Sequence, residues 1–287
     1  MISPMRIDES LQGASERLRF ISDTALLDAQ LLLAQVLKVT TSYFYSWPEK
    51  TLTDKEQFQF DVLLKRREQG EPIAYILGKQ AFWTLDLEVS PCTLIPRADT
   101  ECLVEAALTV LQAKGKQILD LGTGTGAIAL ALATECRDSE VLGVDLIADA
   151  VSLAKRNAAS HQISNARFVQ SRWFEQLAES SKFDLIVSNP PYIDPEDHHL
   201  SEGDVRFEPK TALVAENHGL ADIEHIIEQA PTFLKAGGHL MFEHGYDQAR
   251  AVRGLLIDAG FSDVQSVQDF GGNDRVTMGC LSQLNPS

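Results

Sequence analysis

The sequence predicts an α/β protein in which a doubly wound parallel sheet follows a small helical domain. After residue 116, segments with the apolar pattern of buried strands alternate with segments of helical periodicity, as in βαβ units. A further helix at 247–259 precedes a predicted antiparallel pair, which brings the sheet to seven strands. The predicted strands are 117–121, 140–144, 167–170, 183–187, 239–243, 264–270 and 276–281, and the helices between them are 127–134, 149–160 and 222–234.

The first 80 residues predict helices. Asp23 can cap a helix with an apolar stripe over 26–37, and 53–56 match a capping box for a helix that Gly70 ends. We expect the aromatic residues of 43–47 to pack in the core of this bundle, with a recognition surface as the alternative. We expect the basic run 65–67 to be a solvated helix end, with partner binding as the alternative.

Between these regions the apolar residues change to a period of two. Leu85, Leu87 and Val89 alternate with polar residues, Pro91 interrupts the run and 93–95 resumes it, which predicts a β-hairpin. We therefore expect a helical domain at 1–80, a hairpin linker at 81–97 and a second domain at 98–287 that contains the sheet.

The chain is acidic, and its charge is unevenly distributed. The formal net charge is −16 over 287 residues, and residues 81–287 carry 15 Lys and Arg against 30 Asp and Glu. Such a region would repel phosphate backbones, so we expect a basic partner and no nucleic acid substrate.

The remaining composition argues against several kinds of site. The four cysteines have no paired spacing, which predicts reduced thiols in a cytoplasmic protein, and the seven histidines form no metal-binding pattern. The first ten residues lack the apolar core of a signal peptide, and no stretch approaches the length of a membrane helix. We expect a monomer that binds no metal and no membrane.

A glycine-rich loop follows the first strand of the sheet. Residues 120–126 read Asp-Leu-Gly-Thr-Gly-Thr-Gly, which matches neither a dinucleotide fingerprint nor a phosphate-binding P-loop. Asp145 ends the second strand, where a carboxylate can bind both hydroxyls of a ribose, although a purely structural role is the alternative.

A nucleoside without pyrophosphate fits this set, and S-adenosylmethionine is such a molecule. We expect Asp120 and the glycine loop to hold its amino-acid end and Asp145 to hold its ribose. Trp173 would cover the adenine or, alternatively, pack in the core. The predicted cofactor-binding residues are Asp120, Gly122, Thr123, Gly124, Thr125, Gly126, Asp145, Trp173 and Asn189.

A second motif follows the strand at 183–187. Asn189, Pro190, Pro191 and Tyr192 leave the carboxyl edge of the sheet, and the two prolines stiffen the chain there. The Asn189 side-chain oxygen and the Pro190 carbonyl can accept two hydrogen bonds from a planar NH2 group, beside an aromatic wall from Tyr192. An ordinary proline turn is the alternative.

These motifs together resemble class I S-adenosylmethionine-dependent methyltransferases that act on NH2 groups and have a Rossmann-like fold. The motif at 189–192 alone is shared by adenine, guanine and glutamine methylases. The segments 94–101 and 203–209 and the helical N-terminal domain narrow the resemblance to release factor glutamine methyltransferases, over nearly the whole chain.

The resemblance implies methyl transfer to the side-chain nitrogen N5 of the glutamine in the Gly-Gly-Gln motif of class 1 peptide-chain release factors, with S-adenosylhomocysteine as product. It implies catalytic roles for Asn189, Pro190 and Tyr192 and substrate contacts from these residues, Pro191 and Arg97. The helical domain would recognise the release factor.

Two residues depart from the family pattern, and three other functions are possible. Arg172 stands where an acidic residue is usual, and Ala98 where proline is common. The alternatives are a glutamine methyltransferase for a ribosomal protein, a nucleic-acid amino methylase and a binding module without activity. The stretch 97–101 favours the release factor over a ribosomal protein, and the acidic charge opposes nucleic acid.

Overall fold

The computed structural model describes residues 5–111, 115–201 and 203–282, except for the side chains of 199 and 201. The chain divides into two compact units. The first consists of Met1–Lys79 with His198–Phe207, and the second consists of Gln80–Asp197 with Glu208–Ser287. The segment His198–Phe207, which follows the motif at 189–192, thus packs with the N-terminal helices.

The first unit is helical, as the sequence predicts. The capping box at Thr53 is present: Glu56 N donates to Thr53 Oγ1 over 3.3 Å, and Thr53 N donates to Glu56 Oε2 over 2.8 Å. Asp23 is not a helix cap, since Thr24 takes the N-cap position. The helices are α1 (Ile7–Leu18), α2 (Ala25–Leu37), α3 (Tyr43–Ser46), α4 (Asp54–Glu68) and α5 (Ile73–Leu77).

Two expectations for the first unit need correction. Arg67 is only 6% exposed, and its guanidinium donates to Asp28 Oδ2 over 2.8 Å and to Asp204 Oδ1 over 2.9 Å. The basic run 65–67 is therefore not wholly a solvated helix end. Of the aromatic residues at 43–47, Phe44 is buried, whereas Tyr45 and Trp47 are 77% and 54% exposed. Their side chains therefore do not form one common core.

The hairpin lies upstream of its predicted position. It pairs β1 (Lys79–Phe82) with β2 (Leu85–Glu88), and the predicted strand at 93–95 is wrong. The two strands are joined by only two residues, which keeps the cost of closing the loop small. The segment 93–95 lies between Pro91 and Pro96, which cannot donate to a ladder.

The second unit contains the predicted sheet. Its strands run in the order β5-β4-β3-β6-β7-β9-β8 within the described residues. Strands β3 to β7 pair in parallel, and β9 pairs antiparallel with both β7 and β8. The elements are α6 (Glu101–Val110), β3 (Gln117–Leu121), α7 (Ala127–Glu135), β4 (Glu140–Asp145), α8 (Ala148–Ser160), β5 (Ala166–Gln170), β6 (Phe183–Ser188), α9 (Glu216–Gly219), α10 (Ala221–Phe233), β7 (Leu234–Glu243), α11 (Ala249–Asp258), β8 (Phe261–Gln268) and β9 (Asp274–Leu281).

Apolar side chains cover both faces of this sheet. Ile118 and Val187 belong to one buried cluster, and Leu119 and Ile186 belong to another, as the alternation of side chains along a strand requires. Among the described residues, both faces of the sheet are thus buried in the core and leave no room for a ligand. Because β3, β4 and β6 are parallel, their carboxyl ends meet at one edge, where ligands bind in sheets of this kind.

The described residues contain no helix that is both long and apolar enough to span a bilayer. Their His, Cys, Asp and Glu side chains form no cluster suited to a metal ion.

Candidate functional site

A cavity of about 380 Å³ lies at the carboxyl edge of the sheet in the second unit. Its volume is in the range of small-molecule sites. It brings both sequence motifs together. The predicted site residues that line it are Arg97, Gly122, Thr123, Gly124, Thr125, Asp145, Trp173, Asn189 and Pro191. Among the described residues, four predicted site residues do not line the cavity: Asp120, Gly126, Pro190 and Tyr192.

The glycine loop turns sharply after β3. The backbone N–H groups of Gly122 and Thr123 both donate to the Val144 carbonyl over 2.9 Å, which ties the loop to the end of β4. Gly122 has a φ of +75°, and a Cβ there would lie 3.6 Å from the Trp173 ring. The loop backbone therefore passes close to Trp173 at the cavity wall, where Gly carries no steric cost.

Asp120 lies beneath the loop and not in the cavity. Its Oδ2 accepts hydrogen bonds from Thr123 Oγ1 over 2.6 Å and from Ala129 N over 3.2 Å. Oδ1 has no hydrogen-bond partner among the described residues, and burial raises the pKa of this carboxyl to about 7. The geometry thus supports a role in shaping the loop, whereas the sequence led us to expect a ligand contact.

Asp145 lies at the cavity with its carboxylate fixed in place. Oδ2 accepts from Gly124 N and Oδ1 accepts from Ile147 N, each over 2.9 Å. Burial raises its pKa, and the two backbone hydrogen bonds oppose that rise. A carboxylate has about four acceptor positions, so each oxygen keeps capacity for a ligand hydroxyl.

Trp173 lines the cavity together with Asp222, a residue that sequence reasoning missed. Trp173 adopts a left-handed φ of +47°. Burial raises the pKa of Asp222, and the Arg172 charge lowers it. An acidic side chain is therefore present at this wall although position 172 is basic. Asp222 lies at the start of a helix, and no local pattern ties it to Trp173.

Asn189 follows β6 and reaches the cavity beside Thr100. Its Nδ2 donates to Thr100 Oγ1 over 3.2 Å. Thr100, which was not among the predicted site residues, is buried and also lines the cavity. Pro190 is buried, and Pro191 contributes to the cavity wall.

Tyr192 points to a buried acid. Its hydroxyl donates to Glu243 Oε1 over 3.3 Å, and burial raises the pKa of Tyr192. Burial also raises the pKa of Glu243 to about 7, against the lowering effects of Thr100, Arg275 and Tyr192. The geometry supports Tyr192 as an anchor of its loop, since Gln248 Nε2 also donates to the Tyr192 carbonyl over 3.0 Å. Glu243 was not anticipated, because a lone acid at a strand end has no distinctive spacing.

Arg97 lies at the cavity and pairs with another acid. Its Nη2 donates to Glu208 Oε1 over 2.6 Å, and the Glu208 side chain is fully buried. This ion pair sets the direction of the guanidinium at the cavity wall.

The residues present fit S-adenosylmethionine. The fixed carboxylate of Asp145, the close approach of the Gly122 backbone and the Trp173 wall provide polar and aromatic surfaces in one cavity. Together these groups suit a ribose, an amino-acid end and an adenine.

Comparison with known proteins agrees with this geometry. A family described as "Methyltransferase domain" matches residues 112–270, and one described as "PrmC N-terminal domain" matches 9–78. The chain is 54% identical over 274 residues to the release factor glutamine methyltransferase of Vibrio cholerae, covering 95% of this chain and 96% of that protein. It is also 54% identical over 258 residues to that of Escherichia coli, covering 90% and 93%.

A solved structure supports the fold. The crystal structure of a methyltransferase from Pyrococcus furiosus matches with a TM-score of 0.53 and 20% identity, covering 76% of this chain and 97% of that one. The chain uses S-adenosylmethionine as its methyl donor, and it belongs to the family of release factor glutamine methyltransferases.

Proposed function

We propose that this chain transfers a methyl group from S-adenosylmethionine to N5 of the glutamine in the Gly-Gly-Gln motif of class 1 release factors. The observation that carries the proposal is that Asn189 and Pro191 line the same cavity as Asp145 and the glycine loop. An amide-binding group and a nucleoside-binding group would thus face one cavity.

The cofactor would be held by the residues that line one side of the cavity. Asp145 would bind the ribose hydroxyls, the backbone of 122–125 would lie against the amino-acid end, and Trp173 would cover the adenine. When bound, S-adenosylmethionine supplies an electrophilic methyl group on its sulfonium and leaves as S-adenosylhomocysteine.

The acceptor side must make a poor nucleophile reactive. The lone pair of a carboxamide nitrogen is delocalised into its carbonyl group, so the rate depends on placement and on exclusion of water. Asn189 Oδ1 and the Pro190 carbonyl would each accept a hydrogen bond from one of the two N–H groups of the substrate glutamine. As the nitrogen gains positive character these bonds strengthen, which stabilises the transition state more than the ground state. The proton that the nitrogen loses would pass to water.

The helical unit would recognise the release factor away from the reacting glutamine. That part of the proposal rests on the family match at 9–78 and on the separate packing of Met1–Lys79 with His198–Phe207. The strong negative charge of residues 81–287 favours a protein over a nucleic acid as substrate. A monomer and a cytoplasmic location stay predictions.

The proposal is tested by offering purified protein and labelled S-adenosylmethionine to a class 1 release factor, to ribosomal proteins and to DNA. Mass spectrometry should find the added methyl on the Gly-Gly-Gln glutamine, and changing that glutamine to alanine should abolish labelling. Methylation of a ribosomal protein or of DNA in place of the release factor would contradict the proposed substrate. It would not affect the assignment of the cofactor.

A further inference from the structure

The turn at 217–219, at the end of α9, has a strained backbone. Asn217 and His218 both have a φ of +54°, and Gly219 follows with a φ of +80°. Left-handed conformations are costly for residues with a Cβ, so two in succession need contacts that hold them in place. Because strain of this kind concentrates at functional sites, the neighbours of the turn indicate what it serves.

Side chains tie both strained residues to neighbouring segments. Asn217 Nδ2 donates to Glu224 Oε1 over 2.8 Å and to Glu224 Oε2 over 2.9 Å. His218 Nδ1 lies 3.0 Å from Oδ2 of Asp194, which follows the motif at 189–192. The turn is thus fastened to α10 on one side and to the chain just beyond that motif on the other.

The backbone of the turn lies directly against Tyr192. A Cβ on Gly219 would overlap the Tyr192 carbonyl oxygen and would lie 2.7 Å from the carbonyl carbon. The positive φ of Gly219 suits glycine, and the close approach of the two main chains leaves no space for a side chain. Glycine at this position therefore allows the turn to reach the end of the motif at 189–192.

Gln248 joins the turn to Tyr192 through its side-chain amide. Nε2 donates to the Tyr192 carbonyl and to the His218 carbonyl, each over 3.0 Å. Oε1 accepts from Gly245 N over 2.8 Å. Both N–H donors of the amide are thus used on carbonyl groups, and the bond from Gly245 fixes which end of the amide faces them. A reversed amide would place its oxygen against two carbonyl oxygens.

The position of the Tyr192 carbonyl matters because the motif at 189–192 is stiff. Its two consecutive prolines have a fixed φ and leave the run few ways to absorb a displacement at one end. The amino end of the run is fixed by β6, where the buried Ser188 hydroxyl donates to the Leu121 carbonyl over 2.7 Å. The Gln248 amide and the strained turn hold the carboxyl end.

We propose that Gln248 and Gly219 fix the carboxyl end of the motif at 189–192, so that its two acceptor oxygens stay where the substrate amide meets them. Both are positioning residues, and this inference rests on the proposed function. A misplacement of about 1 Å at a reacting centre can lower a rate by about 100-fold. Even a small movement of the motif should therefore be measurable in the transfer step.

The kinetic test compares two glycines that share a backbone conformation. Gly219→Ala should lower the single-turnover rate about 30-fold, because the added Cβ displaces Tyr192. Gly260→Ala is the matched control, since Gly260 has a φ of +86° but nothing lies within 4 Å of an added Cβ. The control introduces the same backbone strain without the overlap, and its rate should stay within about twofold. The Kd for S-adenosylhomocysteine should stay within about twofold in both variants.

A second variant removes the hydrogen bonds and keeps the shape of the side chain. Gln248→Glu should lower the single-turnover rate about tenfold, because two carbonyl groups lose their donors and face a carboxylate. Both variants act through the Tyr192 carbonyl, so their effects should not multiply. The double variant should turn over within about threefold of Gly219→Ala alone. Thermal unfolding, measured on each variant, shows that the rates refer to folded protein.

A third measurement does not depend on catalysis. In 15N-labelled protein, the side-chain NH2 signals of Asn189 can be assigned by their loss in Asn189→Ala. They should shift in Gly219→Ala and in Gln248→Glu but not in Gly260→Ala, since only the first two variants move the motif. If the wild type methylates no release factor but this NMR pattern holds, the proposed function fails and the positioning role stands.

The inference is overturned if folded Gln248→Glu turns over within twofold of the wild type with unchanged Asn189 signals. It is equally overturned if Gly260→Ala loses as much rate as Gly219→Ala, since backbone strain alone would then explain the loss. A cofactor affinity that falls in parallel with the rate would also overturn it, because that result indicates general damage to the cavity. If Gly219→Ala does not fold, Gln248→Glu decides by the same two readouts.

Discussion

Behind each side of the cavity a buried carboxyl lies near the end of a strand, but the two carboxyls are connected differently. Asp120 of β3 bonds Thr123 and Ala129, which lie three and nine residues away in sequence. Glu243 of β7 accepts a hydrogen bond from the Tyr192 hydroxyl, 51 residues away. Burial raises both pKa values to about 7. The buried carboxyl on the cofactor side thus bonds within one local segment, whereas the one on the acceptor side joins distant segments.

This difference predicts that variants on the acceptor side change the transfer step and variants on the cofactor side change affinity. The largest effect is expected for Asn189→Ala. Losing a contact that strengthens in the transition state should lower the single-turnover rate by at least about tenfold and up to about 100-fold. The Kd for S-adenosylhomocysteine, measured by calorimetry, should stay within about threefold. A near-normal single-turnover rate would remove Asn189 from the catalytic role.

Asp145→Ala should have the opposite signature. Loss of charge-assisted bonds to the ribose should weaken S-adenosylhomocysteine binding by about 10- to 100-fold. The single-turnover rate at saturating cofactor should change much less. Because Gly124 N and Ile147 N lose their acceptor, thermal unfolding should be measured alongside to show that the variant is folded. Unchanged affinity in the folded variant would leave Asp145 with a structural role only.

The pH dependence of transfer distinguishes Glu243 from Asp120. Ionised Glu243 accepts the Tyr192 hydroxyl more strongly than the neutral acid does, and this bond holds the segment that follows Asn189, so the single-turnover rate should rise with pH and level off above about pH 7. Tyr192 and Arg275 face Glu243, and their pKa values are both raised, so they keep their charge states in this range. Glu243→Gln should be slower than the wild type and flat between pH 6 and 8. The same rise in that variant would assign the titration to another group.

Asp120 should affect stability with pH and not the transfer step. Its folded pKa of about 7 exceeds the ordinary value of 3.8, so the native state binds more protons between these values. The free energy of unfolding should therefore fall as pH rises from about 4 to about 7, by on the order of 4 kcal/mol from this group. Asp120→Asn should show a shallower decline in urea unfolding. An identical slope would contradict the burial argument.

The same contrast explains what the sequence could predict. The sheet, the glycine loop and Asp145 follow from patterns within about 30 residues, and the strand at 117–121 was placed with its observed bounds. Thr100 and Glu243 act through partners brought together by strand order, which a single sequence does not reveal. Arg67 was assigned to a solvated helix end because its partners, Asp28 and Asp204, lie 39 and 137 residues away. Local chemistry is readable from sequence, whereas contacts between distant segments require the fold.

The most direct test of the account is a crystal structure of this protein with S-adenosylhomocysteine and a Gly-Gly-Gln peptide. We expect the glutamine NH2 group within hydrogen-bonding distance of Asn189 Oδ1 and the Pro190 carbonyl, with Asn189 Nδ2 still on Thr100 and the ribose on Asp145. A glutamine side chain bound away from Asn189, or a ribose that does not contact Asp145, would contradict the assignment of the two sides of the cavity.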